Sequence, residues 1–76
     1  MAFTIESAKQ VLDDYYDLVH PKYEDDIQFI HALDFLIQET NNPEYMVELG
    51  GWYYGQKQFD LAEDYYLMAA KLNYVD

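Results

Sequence analysis

Apolar residues recur at steps of three and four along almost the whole chain, and no stretch alternates polar and apolar residues for long. This spacing is the period of an amphipathic α-helix and not that of a β-strand. Proline, asparagine and glycine residues interrupt the pattern at three places. The sequence therefore predicts an all-α fold of four short antiparallel helices.

The first two helices are separated by Pro21. The first is predicted to start after Thr4, whose side chain suits an N-cap, and to end near His20, because a proline disfavours helical geometry in the residue before it. The second is predicted from about Lys22 to Thr40. The stripes expected to be buried are Ile5, Ala8, Val11, Leu12, Tyr15, Tyr16 and Val19, and then Tyr23, Ile27, Ile30, Leu33, Leu36 and Ile37 with Phe29 or Phe35.

A third helix follows a sharp boundary. Asn42 suits an N-cap and Pro43 suits the first helical position, so this helix is predicted from Pro43 to about Tyr54. The next segment, residues 55–58, is polar and begins with Gly55, which can leave helical geometry. We expect a short turn there.

The fourth helix is predicted from about Phe59 to Leu72. Asp60 and Glu63 stand three residues apart at its start and resemble a capping box. No linker rich in serine or glycine divides the chain, so the sequence predicts one helical domain over residues 1–76.

Seven small, aliphatic and aromatic residues in the second half of the chain are spaced as in a known repeat. They are Met46, Leu49, Gly50, Tyr53, Ala62, Tyr66 and Ala69. This set resembles the tetratricopeptide repeat (TPR), whose pattern is W-x2-L-G-x2-Y followed by A-x3-F in a unit of 34 residues. The match extends over about residues 41–74. Met46 stands in place of the tryptophan, Tyr66 in place of the phenylalanine and Tyr74 in place of the closing proline.

The resemblance implies a helical hairpin over residues 43–72. In that hairpin Gly50 and Ala62 would be small where the helices cross closely, and larger side chains would fill the space around them; these are Leu49, Tyr53, Phe59 and Tyr66. Residues 5–40 do not repeat the pattern, so we expect a diverged repeat or a cap packed on the hairpin. A second molecule covering the apolar face of the hairpin is the alternative, which leaves a homodimer open.

Charge excludes several classes of partner. The chain has 15 Asp and Glu residues, four Lys and no Arg, for a formal charge of -11. It cannot neutralise a run of phosphates, so we expect no direct nucleic-acid binding and no attraction to anionic membranes. The absence of cysteine fits a reducing compartment. The first residues lack a secretory signal pattern, and no apolar run is long enough to span a membrane. We expect a cytoplasmic protein.

Catalytic chemistry has little to build on in this sequence. His20 and His31 are the only histidines, and His31 with Asp34 forms an i, i+3 pair that lacks further metal ligands. Metal-dependent catalysis through that pair is the weakest hypothesis. We expect a protein that is not an enzyme, with no catalytic residues, no cofactor and no metal.

The remaining hypothesis is protein binding. TPR proteins bind partners along the face lined by the first helix of each repeat, which implies groove positions at Glu44, Val47, Glu48, Gly51 and Tyr54. No lysine lies there, so a basic or aromatic segment is expected. Tyrosine among carboxylates also suits an interface; in the first half of the chain, the candidate partner-binding residues are Asp13, Tyr16, Asp17, Glu24 and Asp25.

Two functions therefore follow from the sequence. The first is a non-enzymatic protein-interaction module that binds a basic or aromatic protein segment through an acidic, tyrosine-rich TPR-like surface. The alternative is an acidic inhibitor or immunity-type protein, a nucleic-acid mimic that blocks the cationic site of a nuclease or toxin.

Overall fold

The computed structural model describes residues 3–72 of the chain. Within that range it contains four helices and no strand: α1, Ile5–Tyr16; α2, Tyr23–Thr40; α3, Pro43–Gly55; and α4, Phe59–Lys71. The predicted all-α fold with four helices is confirmed. The start of α2 and the ends of α3 and α4 each differ from the predicted position by one residue. The end of α1 differs by four residues.

The chain divides into two compact units at the boundary between Thr40 and Asn41. Within the first unit α1 packs against α2, and within the second α3 packs against α4. This boundary coincides with the predicted start of the TPR-like segment. The single domain over residues 1–76 stays a prediction, and Tyr74, the predicted end of the repeat, lies outside the described residues.

Thr4 caps α1 as the sequence predicts. Its Oγ1 accepts the backbone N–H of Ser7 at 3.0 Å, and the Oγ of Ser7 accepts the backbone N–H of Thr4 at 2.8 Å. This reciprocal pair is a capping box with serine in place of the usual glutamate or glutamine. It satisfies two backbone donors that a helix start leaves unpaired.

α1 ends four residues earlier than predicted. The backbone N–H of Asp17 donates to the carbonyl of Asp14 at 3.2 Å, and that of Leu18 donates to the carbonyl of Tyr15 at 3.1 Å. These i to i+3 bonds close the helix well before Pro21. Val19 therefore lies beyond the helix with 83% of its surface exposed, and its predicted burial is wrong. Ala8 and Leu12 are buried as predicted, whereas Ile5 and Tyr16 are exposed.

α2 buries Leu33, Leu36 and Ile37 as predicted, together with Phe29. The ring of Tyr15 stacks on Phe29 with centroids 4.1 Å apart, and the ring of Tyr16 meets Phe29 edge-on at 5.7 Å. Phe29 is therefore the aromatic residue that extends the buried face, whereas Tyr23 is 75% exposed and its predicted burial is wrong. The buried residues of α2 are Phe29, Ala32, Leu33, Leu36 and Ile37.

α3 begins at the predicted boundary. Asn42 is its N-cap, and the Oδ1 of Asn42 accepts the backbone N–H of Glu44 at 3.0 Å. Pro43 occupies the first turn, where its missing N–H costs no hydrogen bond. The predicted cap is confirmed.

α3 and α4 cross closely at small residues. Gly50 and Ala62 are both buried, and a Cβ atom added at Gly50 would lie 3.3 Å from the carbonyl oxygen of Ala62. Leu49 is fully buried, and the ring of Tyr53 stacks on that of Tyr65 at 5.7 Å. The predicted close approach at the two small residues is confirmed.

The turn between α3 and α4 does not use Gly55. That glycine is the last residue of α3, and the left-handed residue is Lys57, at φ 63°. The N–H of Lys57 donates to the carbonyl of Tyr54 and the N–H of Gln58 donates to that of Tyr53, each at 3.0 Å. This pattern is a Schellman motif with lysine at the position that usually holds glycine.

α4 starts without the predicted capping box. Its N-cap is Gln58, whose side chain makes no capping hydrogen bond, and Asp60 lies inside the first turn. The Schellman motif brings the chain into α4 two residues before Asp60, so Asp60 and Glu63 are both helical and cannot form the box. Phe59, predicted to fill the helix crossing, is 54% exposed instead.

Polar side chains lie on the outside of both units. Among residues 3–72, no polar or charged residue is buried. Within the same range, no helix has the length and apolar character needed to cross a bilayer.

Candidate functional site

α4 carries apolar side chains around most of its circumference. Only Ala62 and Ala69 on this helix are buried, although five larger apolar residues stay exposed: Phe59, Leu61, Tyr66, Leu67 and Met68. One neighbouring helix can cover only one stripe of another helix. The hairpin by itself therefore leaves a large part of the apolar surface of α4 in solvent.

Part of this surface forms a groove of about 480 Å³ along α4, here called the apolar groove. One lining residue comes from α3 and six come from α4 at steps of three and four: Tyr54, and then Phe59, Ala62, Glu63, Tyr66, Leu67 and Ala70. A volume of this size falls within the usual range for ligand pockets in proteins.

Two aromatic rings form one end of the apolar groove. Tyr54 and Phe59 meet edge-on, with centroids 5.2 Å apart and planes at 70°. The Schellman motif centred on Lys57 places these two residues opposite each other across the turn. Both remain more than half exposed, at 60% and 54%. Exposed aromatic rings supply a large contact area for a partner.

The middle of the apolar groove depends on the glycines of α3. A Cβ atom at Gly50 would lie 2.9 Å from Cε1 of Tyr66, and one at Gly51 would lie 3.7 Å from its hydroxyl oxygen. Because neither glycine has a side chain, the Tyr66 ring lies against the backbone of α3. Tyr66 still keeps 39% of its surface exposed, so it belongs both to the hairpin and to the groove.

Among the described residues, Glu63 is the only charged one that lines the apolar groove. Asp60 and Asp64 are also exposed on α4, and Lys71 is the last residue of that helix. Residues 41–72 contain five carboxylates and two lysines. The second unit is therefore acidic. Lys57 precedes α4 and Lys71 ends it, whereas the carboxylate of Glu63 lies beside the groove.

The candidate residues predicted on α3 are only partly brought to this groove. Tyr54 lines it, and Gly51 lies next to the hydroxyl of Tyr66, which is a lining residue. Glu44 is exposed at the start of the helix, while Val47 and Glu48 are half-buried. The other six lining residues were not among the predicted site residues: Phe59, Ala62, Glu63, Tyr66, Leu67 and Ala70.

The candidate residues in the first unit are spread over both of its helices and the turn between them. Asp13, Asp17 and Glu24 are exposed. Tyr16 is 56% exposed, and its ring contacts that of Phe29 edge-on. Asp25 is half-buried, and its Oδ2 accepts the backbone N–H of Lys22 at 2.9 Å, so this carboxylate stabilises the start of α2.

A smaller cleft of about 120 Å³ lies between α1 and α2, lined by Val11, Asp14, Tyr15, Leu18, Asp25 and Gln28. Its carboxylates already accept hydrogen bonds, since Oδ1 of Asp14 is bonded by Gln10 Nε2 at 2.9 Å and Asp25 is bonded by Lys22. The hydroxyl of Tyr15 donates to Oδ1 of Asp26 at 2.7 Å. These polar groups stabilise the first unit.

Metal-ligating side chains do not converge in the part of the chain that the structure describes. No three of its His, Asp or Glu residues come close enough to hold an ion. His31 is exposed and Asp34 is half-buried on α2. The apolar groove, by contrast, is lined mainly by apolar side chains.

Comparisons of this chain with protein-family models, with curated proteins and with solved structures found no match. The TPR assignment therefore stays a prediction that rests on the residue spacing. The helical hairpin itself and its close crossing at Gly50 are features of the structure.

The sequence contains one signal from which the groove could have been predicted. α4 has two apolar stripes, one through Ala62 and Ala69 and another through Phe59, Tyr66 and Ala70. When a helix has two apolar stripes and only one neighbouring helix, one of the two stripes stays exposed.

Proposed function

We propose that this chain is a non-enzymatic protein-interaction module. Its TPR-like hairpin binds a basic or aromatic segment of a partner protein, and the apolar groove is the binding site. The observation that carries the proposal is the exposed aromatic and aliphatic lining of the groove, with Tyr54, Phe59 and Leu67 each more than half exposed. Contiguous exposed apolar surface on a small protein is typical of an interaction site.

The lining has the composition of a binding hot spot. Tyrosine and other aromatic residues are enriched at the centres of interfaces, where they bury large areas. Covering apolar surface contributes about 25 cal/mol per Å² removed from water, before the cost of ordering the partner is subtracted. The groove supplies two tyrosine rings and one phenylalanine ring for such contacts.

The charge of the chain supports a basic partner. The formal charge is -11 and the second unit is itself acidic. An acidic surface accelerates association with a basic segment and disfavours an acidic one. A cytoplasmic location agrees with the absence of cysteine and belongs to the same proposal.

A site-specific photocrosslinker tests this proposal. Benzoylphenylalanine is placed at Leu67 in the groove, or at Val19 as a control, because Val19 is even more exposed but lies in the first unit. Cells expressing either protein are irradiated and the crosslinked proteins are sequenced. We expect basic or aromatic partner segments from position 67 and not from position 19.

The captured partner is then measured by calorimetry. Leu67→Glu should weaken its binding at least tenfold, since a charge would enter the apolar lining, and Val19→Glu should leave it unchanged. Crosslinks to acidic proteins or nucleic acid alone, or equal binding by both variants, would contradict the proposal.

The net charge favours one second candidate, an acidic inhibitor that occupies the cationic site of a nuclease or toxin. Asp13, Asp17 and Glu24 supply exposed carboxylates for such a role. Salt separates the two functions, because in about 0.5 M salt screening reduces charge interactions to a range of a few ångströms. A charge mimic should release its partner at that salt, whereas a segment held in an apolar groove should remain bound.

A further inference from the structure

The apolar groove follows one helix for its whole length. Its α4 lining runs from Phe59 to Ala70, which is eleven residue steps or about 16 Å at 1.5 Å per residue. That distance equals about three turns of a second helix lying alongside. The lining also alternates rings with Ala62 and Ala70, so large side chains of an occupant can lie between the rings.

The groove offers few hydrogen-bond partners to a backbone. Residues 59–71 form a continuous helix, so the N–H and C=O groups in its middle already pair with one another. Within the described part of the chain, the polar side-chain groups that line the groove are the carboxylate of Glu63 and the hydroxyls of Tyr54 and Tyr66. An extended segment would bury backbone groups without partners, whereas a helix satisfies its own.

From these two observations we infer that the occupant of the groove is an amphipathic helix of a basic partner. This inference rests on the function proposed above and specifies the class of segment. The helix has apolar anchors at positions i, i+3 or i+4, and i+7, which face Phe59, Tyr66 and Leu67. It carries lysine or arginine near its middle, opposite Glu63.

Charge argues against a second copy of this chain as the occupant. Each copy carries a formal charge of -11, so two copies repel each other. The lysines of the second unit, Lys57 and Lys71, lie before the start and at the end of α4, while Glu63 lies between them. A basic helix complements the centre of the groove, and an acidic copy does not.

A peptide selection tests the inference with a defined probe, a phage-displayed library of random 16-residue peptides. The library is selected on the wild-type protein and depleted on the Leu67→Glu variant, so that the retained peptides require the groove. Val19→Glu is the matched control, and retained peptides should bind it as they bind the wild type. We expect retained peptides to repeat apolar residues at steps of three and four and to contain central basic residues.

The strongest retained peptide is then synthesised with a fluorescent label and titrated by anisotropy. A proline at its centre should weaken binding at least tenfold, because proline breaks a helix. Glu63→Gln should weaken binding about two- to fivefold, the range expected for a partly solvated ion pair. Asp64→Asn is the matched control, since Asp64 is exposed on α4 and does not line the groove.

The outcomes separate this inference from the proposed function. Retained peptides that are proline-rich, alternate polar and apolar residues or are acidic would overturn the helical occupant while leaving groove binding intact. A selection with no peptide that requires the groove would overturn both. Sedimentation that shows a wild-type dimer, lost in Leu67→Glu, would assign the groove to a second copy and overturn the inference.

Discussion

The ring of Tyr66 lies directly against the backbone of Gly50. A Cβ atom added at Gly50 would approach Cε1 of this ring to 2.9 Å and Cδ1 to 3.0 Å, both closer than carbon atoms normally pack. The carbonyl oxygen of Ala62 lies 3.3 Å from the same point. This contact sets how closely α3 and α4 approach each other and where Tyr66 stands in the apolar groove.

The adjacent glycines of α3 should respond in opposite directions to the same substitution. Gly50→Ala should destabilise the second unit by about 1 kcal/mol or more, because overpacking exceeds the gain in helix propensity. Gly51→Ala should stabilise it by up to about 1 kcal/mol, since the new methyl meets only the Tyr66 hydroxyl at 3.7 Å. Urea unfolding followed by fluorescence measures both, because the single tryptophan, Trp52, lies on α3.

A double substitution identifies the source of the effect. In a Tyr66→Ala background, Gly50→Ala should cost less than it does alone, because the ring is gone and only the Ala62 carbonyl remains close. Equal stabilisation by the two glycine substitutions would show that the ring moves aside freely.

Lys57 should be replaceable by glycine with a gain in stability. Its φ of 63° lies in the left-handed region, which costs an L-residue about 1–2 kcal/mol and costs glycine little. Lys57→Gly should therefore raise the free energy of unfolding by about 1 kcal/mol. Lys57→Ala is the matched control, since it removes the same charge and keeps the strain. If both variants have the same stability, the gain comes from charge and not from backbone geometry.

The start of α4 should gain from a capping side chain. Gln58 is the N-cap and makes no capping hydrogen bond, whereas asparagine is among the preferred N-cap residues. We expect Gln58→Asn to stabilise the second unit by about 0.5–1 kcal/mol. Gln58→Ala supplies no capping oxygen and should give no such gain. Trp52 fluorescence during urea unfolding compares the two, and equal stabilities would exclude a new cap.

The hydroxyl of Tyr15 should contribute to the stability of the first unit. It donates to Oδ1 of Asp26 at 2.7 Å and is partly buried, so Tyr15→Phe removes a hydrogen bond to a carboxylate and keeps the ring stacked on Phe29. A loss of about 1–2 kcal/mol is expected in thermal or urea unfolding followed by circular dichroism. Tyr23→Phe is the control, because Tyr23 is 75% exposed. Equal losses from the two substitutions would mean that the Tyr15 hydroxyl contributes nothing specific.

Local sequence signals determined the helices of this protein and most of their starts. The period of the apolar residues, the caps at Thr4 and Asn42 and the small residues at the α3–α4 crossing act within a few residues or within one hairpin. Such signals depend little on the rest of the fold, and for that reason they were predicted. Tyr54 and Gly51 were predicted at the candidate site by the resemblance to the TPR pattern.

Tertiary packing decided which apolar stripe is buried and which is exposed. Phe29 is buried on α2, where Tyr15 and Tyr16 pack on it, and α4 buries the stripe through Ala62 because that stripe faces α3. The chain has more apolar stripes than its helix pairs can cover, so periodicity alone cannot choose between them. The apolar groove is the stripe that remained, and only the arrangement of α3 and α4 shows where it lies.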